Sequence, residues 1–399
     1  MKTKKNAIAF FGVVTLFSMA CSFAHPVTPA LFKQLQLQDY MFGVALACMS
    51  FGNLFLSPFW GEIAGYLSSR YTLLICTVGY AVGQLLFAMC KTVLQVVLVR
   101  FFTGLFVGGC FVGMLTYIVN TVPEGQSPGR YLAIQATLEG VFNAVGYFVG
   151  GMLGEISVQL AVMVQAVTLA VCGILFAILC ESDAKAHKKL YIGSILRDAN
   201  PFGAFIQGRS LMCCLIGVLF VVCSLQNFSY TCFDQSFNYY AIDQIGLSTG
   251  YNGAIKGVMG IVTLIANGTV CVWLLQKTDT RKSVVAVLAI CGLTMTCALM
   301  ITQLIPFLIV NVLFYALSVI SVPLLQNLVA AEGKLRNYDS NLVMGFYNAM
   351  RSLGGILGAL LAGFTYMVTP KTPFICCVVG FLLAAVFSAY YALRSVKRT

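Results

Sequence analysis

Charge is scarce in this sequence: 9% of its 399 residues are Asp, Glu, Lys or Arg, where a soluble domain carries about a quarter. With 59% hydrophobic residues and a mean hydropathy of +0.90, the chain has too little polar surface to cover itself in water. Histidine occurs only as His25 and His187, and no paired-Asp, Ser/His or H-E-x-x-H arrangement is present, which leaves an intramembrane hydrolase without its catalytic groups. A G-x-x-x-x-G-K-[ST] loop is missing, which excludes a nucleotide-driven pump built on one. The 16 cysteines form no C-x-x-C pair and sit mostly inside apolar blocks, as Cys21, Cys76, Cys110 and Cys223 do, where they read as small hydrophobes. The net charge of +11 builds no basic face with interleaved aromatics, so nucleic acid is not an expected partner. No enzyme activity, cofactor or metal is expected.

Long apolar blocks are what the sequence has in quantity. They run approximately over 7–32, 40–60, 72–91, 94–121, 131–154 and 159–180, then 210–240, 250–275, 283–303, 305–329, 341–368 and 373–393, each about long enough to cross a bilayer core as a helix. The one long polar run, from Glu181 to Arg209, separates six spans from six. The expected fold is therefore an all-α membrane protein of twelve transmembrane helices in two pseudo-symmetric six-helix bundles, residues 1–180 and 210–399, joined by a linker over 181–209. Residues 190–205 of that linker mix apolar side chains with Arg197 and Asp198, which fits either a helix lying on the membrane surface or a solvated tether. Lys2, Lys4 and Lys5 before an apolar run resemble a signal peptide, but the run continues to Phe32 and is read as the first span. With the N-terminus placed inside, eighteen of the 24 Lys and Arg are cytoplasmic, three lie within spans, and only Lys33, Lys91 and Lys371 face out. Both termini are thus expected to be cytoplasmic, in a plasma-membrane protein.

The two halves share a pattern. Span five carries Gly146, Gly150 and Gly154 at steps of four, and span eleven carries Gly354 and Gly358; stripes of small residues let helices approach closely. Superposing the stripes shifts residues by 208 and sets Asn143 opposite Arg351. A repeat of this size is expected of transporters that rock one half against the other.

Arg100 opens the run R-F-F-T-G-L-F-V-G-G, with Gly104 and Gly108 following at helical spacing. Here the chain resembles the major facilitator superfamily, particularly its 12-span drug:proton antiporter branch, where R-x-x-x-G marks the fourth span. Gly146-Tyr-Phe-Val-Gly150-Gly151 is similar to the fifth-span motif of that branch, with Tyr147 in place of its proline. Gly61 to Arg70 falls where the family has a loop signature, roughly G-x-x-x-D-R-x-G-R-R. This chain keeps Gly61 and Arg70 but carries Gly65, Tyr66, Ser68 and Ser69 between them, so the acid that usually braces the inner gate is missing. The resemblance implies alternating access, a cavity lined by spans one, four, seven and ten, and gating or packing roles for Gly61, Arg70, Gly104, Gly108 and the two glycine stripes.

Five ionisable residues lie within spans: Arg100, Glu139, Asp234, Lys256 and Arg351. Each would cost roughly 2.5–3.5 kcal/mol at the centre of a lipid-facing helix, so they are expected to face an aqueous cavity or one another. An interhelical ion pair or a snorkelling position near a span end is the alternative for each. Uncharged polar stripes point the same way: Asn227, Thr231, Asp234 and Asn238 share one face of span seven, Asn311, Tyr315 and Ser318 one of span ten, Thr15, Ser18, Ser22 and His25 one of span one, and Gln135, Glu139 and Asn143 one of span five. Arg100, Glu139, Asn143, Asn227, Asp234, Lys256, Asn311, Tyr315 and Arg351 form the expected substrate and coupling set, with Glu139 and Asp234 as proton carriers and Arg100 as the orienting cation.

These features lead to a monomeric secondary transporter in a lipid bilayer, moving a small molecule as proton-coupled efflux of amphipathic compounds. Three fixed cations in the spans against two acids favour an anion, and basic residues on spans eight and eleven resemble their placement in carboxylate exchangers of the same superfamily. Organic-anion transport therefore stands beside drug efflux, and a non-transporting receptor on the same fold is the third class.

Overall fold

The computed structural model describes residues 4–122, 128–183, 200, 202–213 and 215–396. Regular structure among them is helical. In the first half, α1 is Lys4–Ser22, α2 Thr28–Gln34, α3 Met41–Leu67, α4 Ser69–Ala88, α5 Val93–Thr121, α6 Pro128–Ile156 and α7 Val158–Leu179. The short α8, Gly203–Gly208, precedes α9, Leu215–Asp243, and α10, Thr249–Ala266, which continues through a π turn at Asn267–Cys271 into α11, Val272–Lys277. The last elements are α12, Thr280–Met300, α13, Leu304–Leu335, α14, Ser340–Tyr366, and α15, Thr372–Val396.

Ten stretches among the described residues are long and apolar enough to cross a membrane. The run Asn6–Ser22 is apolar but shorter, and α14 has the length, 27 residues, with Asn348 and Arg351 diluting its apolar run. The first apolar block, read from sequence as one span over 7–32, is broken: α1 stops at Ser22 and helix resumes at Thr28. Pro26 and Pro29 are the cause. A proline inside a helix removes a ladder hydrogen bond, whereas Pro29 in the first turn of α2 removes none. The surface helix or tether expected over 190–205 lies, as far as residue 199, outside the described residues.

Caps fix other helix starts. The Thr92 hydroxyl accepts from the Gln95 amide at 3.3 Å while the Gln95 side chain accepts from the Thr92 amide at 3.2 Å, a reciprocal box that starts α5. Asp279 accepts from the Arg281 amide at 2.9 Å and starts α12.

The chain divides into two compact units: Met1–Gln38, Cys48–Pro201 and Ile245–Gly260 form unit one, and Asp39–Ala47, Phe202–Gln244 and Ile261–Thr399 form unit two. The first turns of α3 thus belong with unit two, and most of α10 with unit one. In each unit, the end at which its first long helix begins, α1 or α9, is called proximal and the other end distal.

Aromatic side chains fill both cores. In unit one Phe10 packs on Tyr117 at 4.7 Å between ring centres, and in unit two Phe233 packs edge-on against Phe314 at 4.5 Å. Helices approach backbone to backbone where glycine allows it. A Cβ on Gly146 or Gly150 would strike the carbonyl oxygens of Met19 and Phe23, and one on Gly354 or Gly358 those of Ser224 and Phe228. Gly104 sits in the same way against the Met49 carbonyl, and Gly108 against the side chains of Asn53 and Ser57. Leu98, Ile178, Met300 and Val386 stay exposed on the outside, as an apolar surface facing lipid does.

Candidate functional site

In unit one, α5 buries Arg100 to 7% exposure. Its guanidinium carbon lies 3.5 Å from the centre of the Phe87 ring, and one of its nitrogens 3.8 Å from the Met49 sulfur. No carboxylate among the described residues stands at ion-pair distance from it. The aromatic face partly replaces the lost hydration, an interaction of about 2 kcal/mol when desolvated. On α6, Glu139 accepts from Gln135 Nε2 at 2.7 Å, and Asn143 Oδ1 accepts from the Ser22 hydroxyl of α1 at 3.0 Å. Lys256 of α10 is buried, at 3% exposure, and the His25 ring lies 5.4 Å from Tyr147.

In unit two, Asn227 of α9 and Arg351 of α14 meet twice. Asn227 Nδ2 donates to the Arg351 carbonyl at 2.8 Å, and the Arg351 guanidinium donates to Asn227 Oδ1 at 3.3 Å. The guanidinium carbon is 5.6 Å from the Tyr347 ring centre. Arg351 Nε and the Tyr347 hydroxyl are both buried without a hydrogen-bond partner, and no carboxylate among the described residues stands at ion-pair distance from Arg351. An unused buried donor costs about 1–3 kcal/mol, so this corner of the bundle retains capacity for an acceptor. Asp234 accepts from Gln235 at 3.1 Å, while Tyr315 accepts from the Tyr230 hydroxyl at 3.0 Å. Asn311 is fully buried, its amide nitrogen bonded to the Phe307 carbonyl at 2.7 Å and its oxygen without a partner.

The structure thus brings Asn227 and Arg351 together, sets Gln135 on Glu139, and places Arg100 against an aromatic ring. Tyr347, missed from sequence, sits one helical turn before Arg351, a spacing that would have found it. Asp183 was also missed, because a polar residue in the polar run from Glu181 to Arg209 carries no local sign of a partner. Its Oδ1 accepts from the Ser68 hydroxyl at 2.6 Å and the Ser69 amide at 2.7 Å, and its Oδ2 from the Ser69 hydroxyl at 2.5 Å and Asn120 at 3.1 Å. The signal available was two serines at the start of α4, Ser68 before it and Ser69 as its first residue, a helix start that wants an acceptor. Ser68 has φ of 75° and ψ of 136°, at the position where the loop signature carries glycine, and such a conformation costs a residue with a Cβ about 1–3 kcal/mol.

The proximal end of unit two is built differently. Glu332, at 3% exposure, bonds the Arg336 guanidinium one turn on and accepts from the Tyr391 hydroxyl at 2.6 Å. A cavity of about 320 Å³ opens beside it, lined in part by Arg281, Asn327, Glu332 and Tyr391. At the distal ends, the Glu155 carboxylate accepts from the Gly250 amide at 2.6 Å in unit one, and in unit two Tyr239 and Tyr366 donate to Asp39 at 2.6 Å and Asp243 at 2.9 Å. Among the described residues no group of three or more His, Cys, Asp or Glu could hold a metal ion.

A sequence profile described as the Major Facilitator Superfamily matches residues 10–337. The class C tetracycline resistance protein of Escherichia coli is 22% identical over 227 residues, 56% of each chain. The chain spans about half the length, or less, of the curated relatives it matches. The solved structure of the nucleoside transporter NupG superposes with a TM-score of 0.72 at 12% identity, over 98% of both chains. That of the human organic anion transporter MFSD10 (TETRAN) gives 0.64 at 16% identity, over 96% of this chain and 99% of that one. Likeness at such identities shows a shared fold, and it is the twelve-helix fold of transporters. The chain belongs to the major facilitator superfamily and is a multi-pass membrane protein.

Proposed function

We propose that this transporter is a proton-coupled carrier of the plasma membrane that exports small amphipathic molecules, with both termini cytoplasmic. The observation that carries the coupling is Glu139. It is a carboxyl group inside a span, bonded to Gln135 at 2.7 Å, with no cation at ion-pair distance among the described residues. A carboxyl so placed exchanges a proton with whichever side hydrates the cavity. Asp234 is the second carrier of protons in this reading, and Arg100, Asn143, Asn227, Lys256, Asn311, Tyr315 and Arg351 orient the substrate. A relative named for tetracycline resistance supports the amphipathic class and the outward direction. The test is flux of a lipophilic cation in proteoliposomes under an imposed pH gradient. Glu139→Gln or Asp234→Asn should keep substrate exchange while losing gradient-driven transport, and intact gradient-driven transport in both would remove the proton role. Reporters fused after Lys277 and Lys334 should be cytoplasmic, and those after Lys33 and Lys371 external.

A second reading, transport of organic anions, rests on Arg351. Its unpartnered Nε and the adjacent unpartnered Tyr347 hydroxyl suit a carboxylate better than a cation, and an organic anion transporter shares the fold. Flux of a dicarboxylate by wild type, lost in Arg351→Gln, would favour this reading over the first.

A further inference from the structure

We propose that Asp183 is a positioning residue of the transport cycle, holding from the end of α7 the loop that precedes α4. The signature for this loop carries its own acid, and Gly65 stands at that place here. The structure brings a carboxylate from another part of the chain to Ser68 and Ser69, at the end of that stretch. Both oxygens of Asp183 are saturated by the four donors of Ser68, Ser69 and Asn120, and its own amide donates back to the Ser68 hydroxyl at 3.2 Å. Its neighbours extend the attachment: the Glu181 amide donates to the Tyr117 hydroxyl at 3.2 Å, and Asn6 donates to the Glu181 carboxylate. Residues 181–183 are therefore stitched to α1, α4 and α5 at the proximal end of unit one.

Three physical features show that this attachment is built. The carboxylate caps the first turn of α4, where the helix dipole favours a negative charge. Its bonds to hydroxyl and amide donors are charge-assisted, and so stronger than neutral ones. It also holds Ser68, 1% exposed, in a backbone conformation that a residue with a Cβ keeps only when its surroundings over-determine it.

Asp183 belongs to unit one, and unit two resumes in the chain at Phe202. One side chain thus ties the start of α4 and the end of α5 to the segment that follows α7. This rests on the export reading, in which one unit moves against the other and the load reaches unit one through the chain that follows Asp183. Loss of the carboxylate would slow the cycle and leave substrate contacts on α6, α9 and α14 unchanged.

Asp183→Asn tests this with two readouts. Spin labels, one on each unit, report their distance distribution without any substrate, and the ratio of populations should change by about threefold or more. In liposomes the maximal rate per folded protein should fall about tenfold, equivalent to one lost charge-assisted bond, with KM within about twofold of wild type. Ser69→Ala should lower the rate in the same direction, and the double variant should be no slower than Asp183→Asn, because both act through one contact. Ser69→Ala also serves as the reading where Asp183→Asn yields no folded protein. Unchanged distances with an unchanged rate, a raised KM at an unchanged rate, or additive losses in the double variant would each overturn the proposal. If wild type carries none of the probe substrates, the export reading fails, and the label distances alone decide on Asp183.

Discussion

α6 of unit one and α14 of unit two are built on one plan and finished differently. Each sets two glycines, four residues apart, against consecutive-turn carbonyls of its unit's first long helix: Gly146 and Gly150 on Met19 and Phe23, Gly354 and Gly358 on Ser224 and Phe228. Three residues before the first glycine the likeness ends. Asn143 accepts one hydroxyl bond from Ser22 at 3.0 Å, a neutral pair. Arg351 exchanges two bonds with Asn227 and keeps a buried Nε with no partner. Packing is repeated because close helix approach has few solutions without a Cβ in the way. The polar residue at this position is not repeated: unit one carries a neutral amide there and unit two a guanidinium.

The hardest way to break this comparison is to fill the shared contact. Gly150→Leu and Gly358→Leu drive a side chain into backbone, which cannot rotate aside, at roughly 1–3 kcal/mol or more. Both should lose most of their folded protein, measured as the monodisperse fraction in detergent chromatography. Tolerance of one and failure of the other would show that the two stripes are not equivalent.

A smaller effect should separate the residues that differ. Arg351→Gln removes the charge while keeping an amide near Asn227, and should lower transport by about 10–100-fold, the scale of a charged hydrogen bond of roughly 1.5–3 kcal/mol. Asn143→Ala removes one neutral bond of about 1 kcal/mol, and should lower transport by no more than about fivefold. Equal losses in liposome flux would mean that charge is not what distinguishes the halves.

Much of this was legible in the sequence, and for physical reasons. Apolar blocks of spanning length and the glycine spacing at 146, 150, 354 and 358 report directly on burial in lipid and on close packing. The break after Ser22 was less legible, because an apolar run hides where prolines interrupt the ladder. Arg100 could be placed on its helix from sequence, but its Phe87 partner comes from α4, and a contact between helices has no local signal. Asp183 was hardest. A polar residue in a polar run reads as solvated, and only the fold brings it to Ser68 and Ser69, 115 and 114 residues away.

The proximal ends extend the comparison and supply its mildest test. Unit one holds its carboxylate, Asp183, on hydroxyls and amides, with no cation among the described residues at ion-pair distance, so every donor matters. Unit two holds Glu332 between the Arg336 guanidinium and the Tyr391 hydroxyl, where the cation carries much of the interaction. Tyr391→Phe deletes one hydroxyl whose bond is 2.6 Å long and leaves Arg336 in place. On its own that loss would cost about 1 kcal/mol. The cavity of about 320 Å³ beside Glu332 has polar groups of Arg281 and Asn327 in its lining and is roomy enough for a water to take over the vacated acceptor, which should reduce the loss further. The expected outcome is a fall in Tm of about 2 °C or less, followed by intrinsic fluorescence or dye binding in detergent, with transport unchanged. A much larger fall would mean that Glu332 depends on Tyr391 as Asp183 depends on its serines, and the two ends would then differ in residues but not in design.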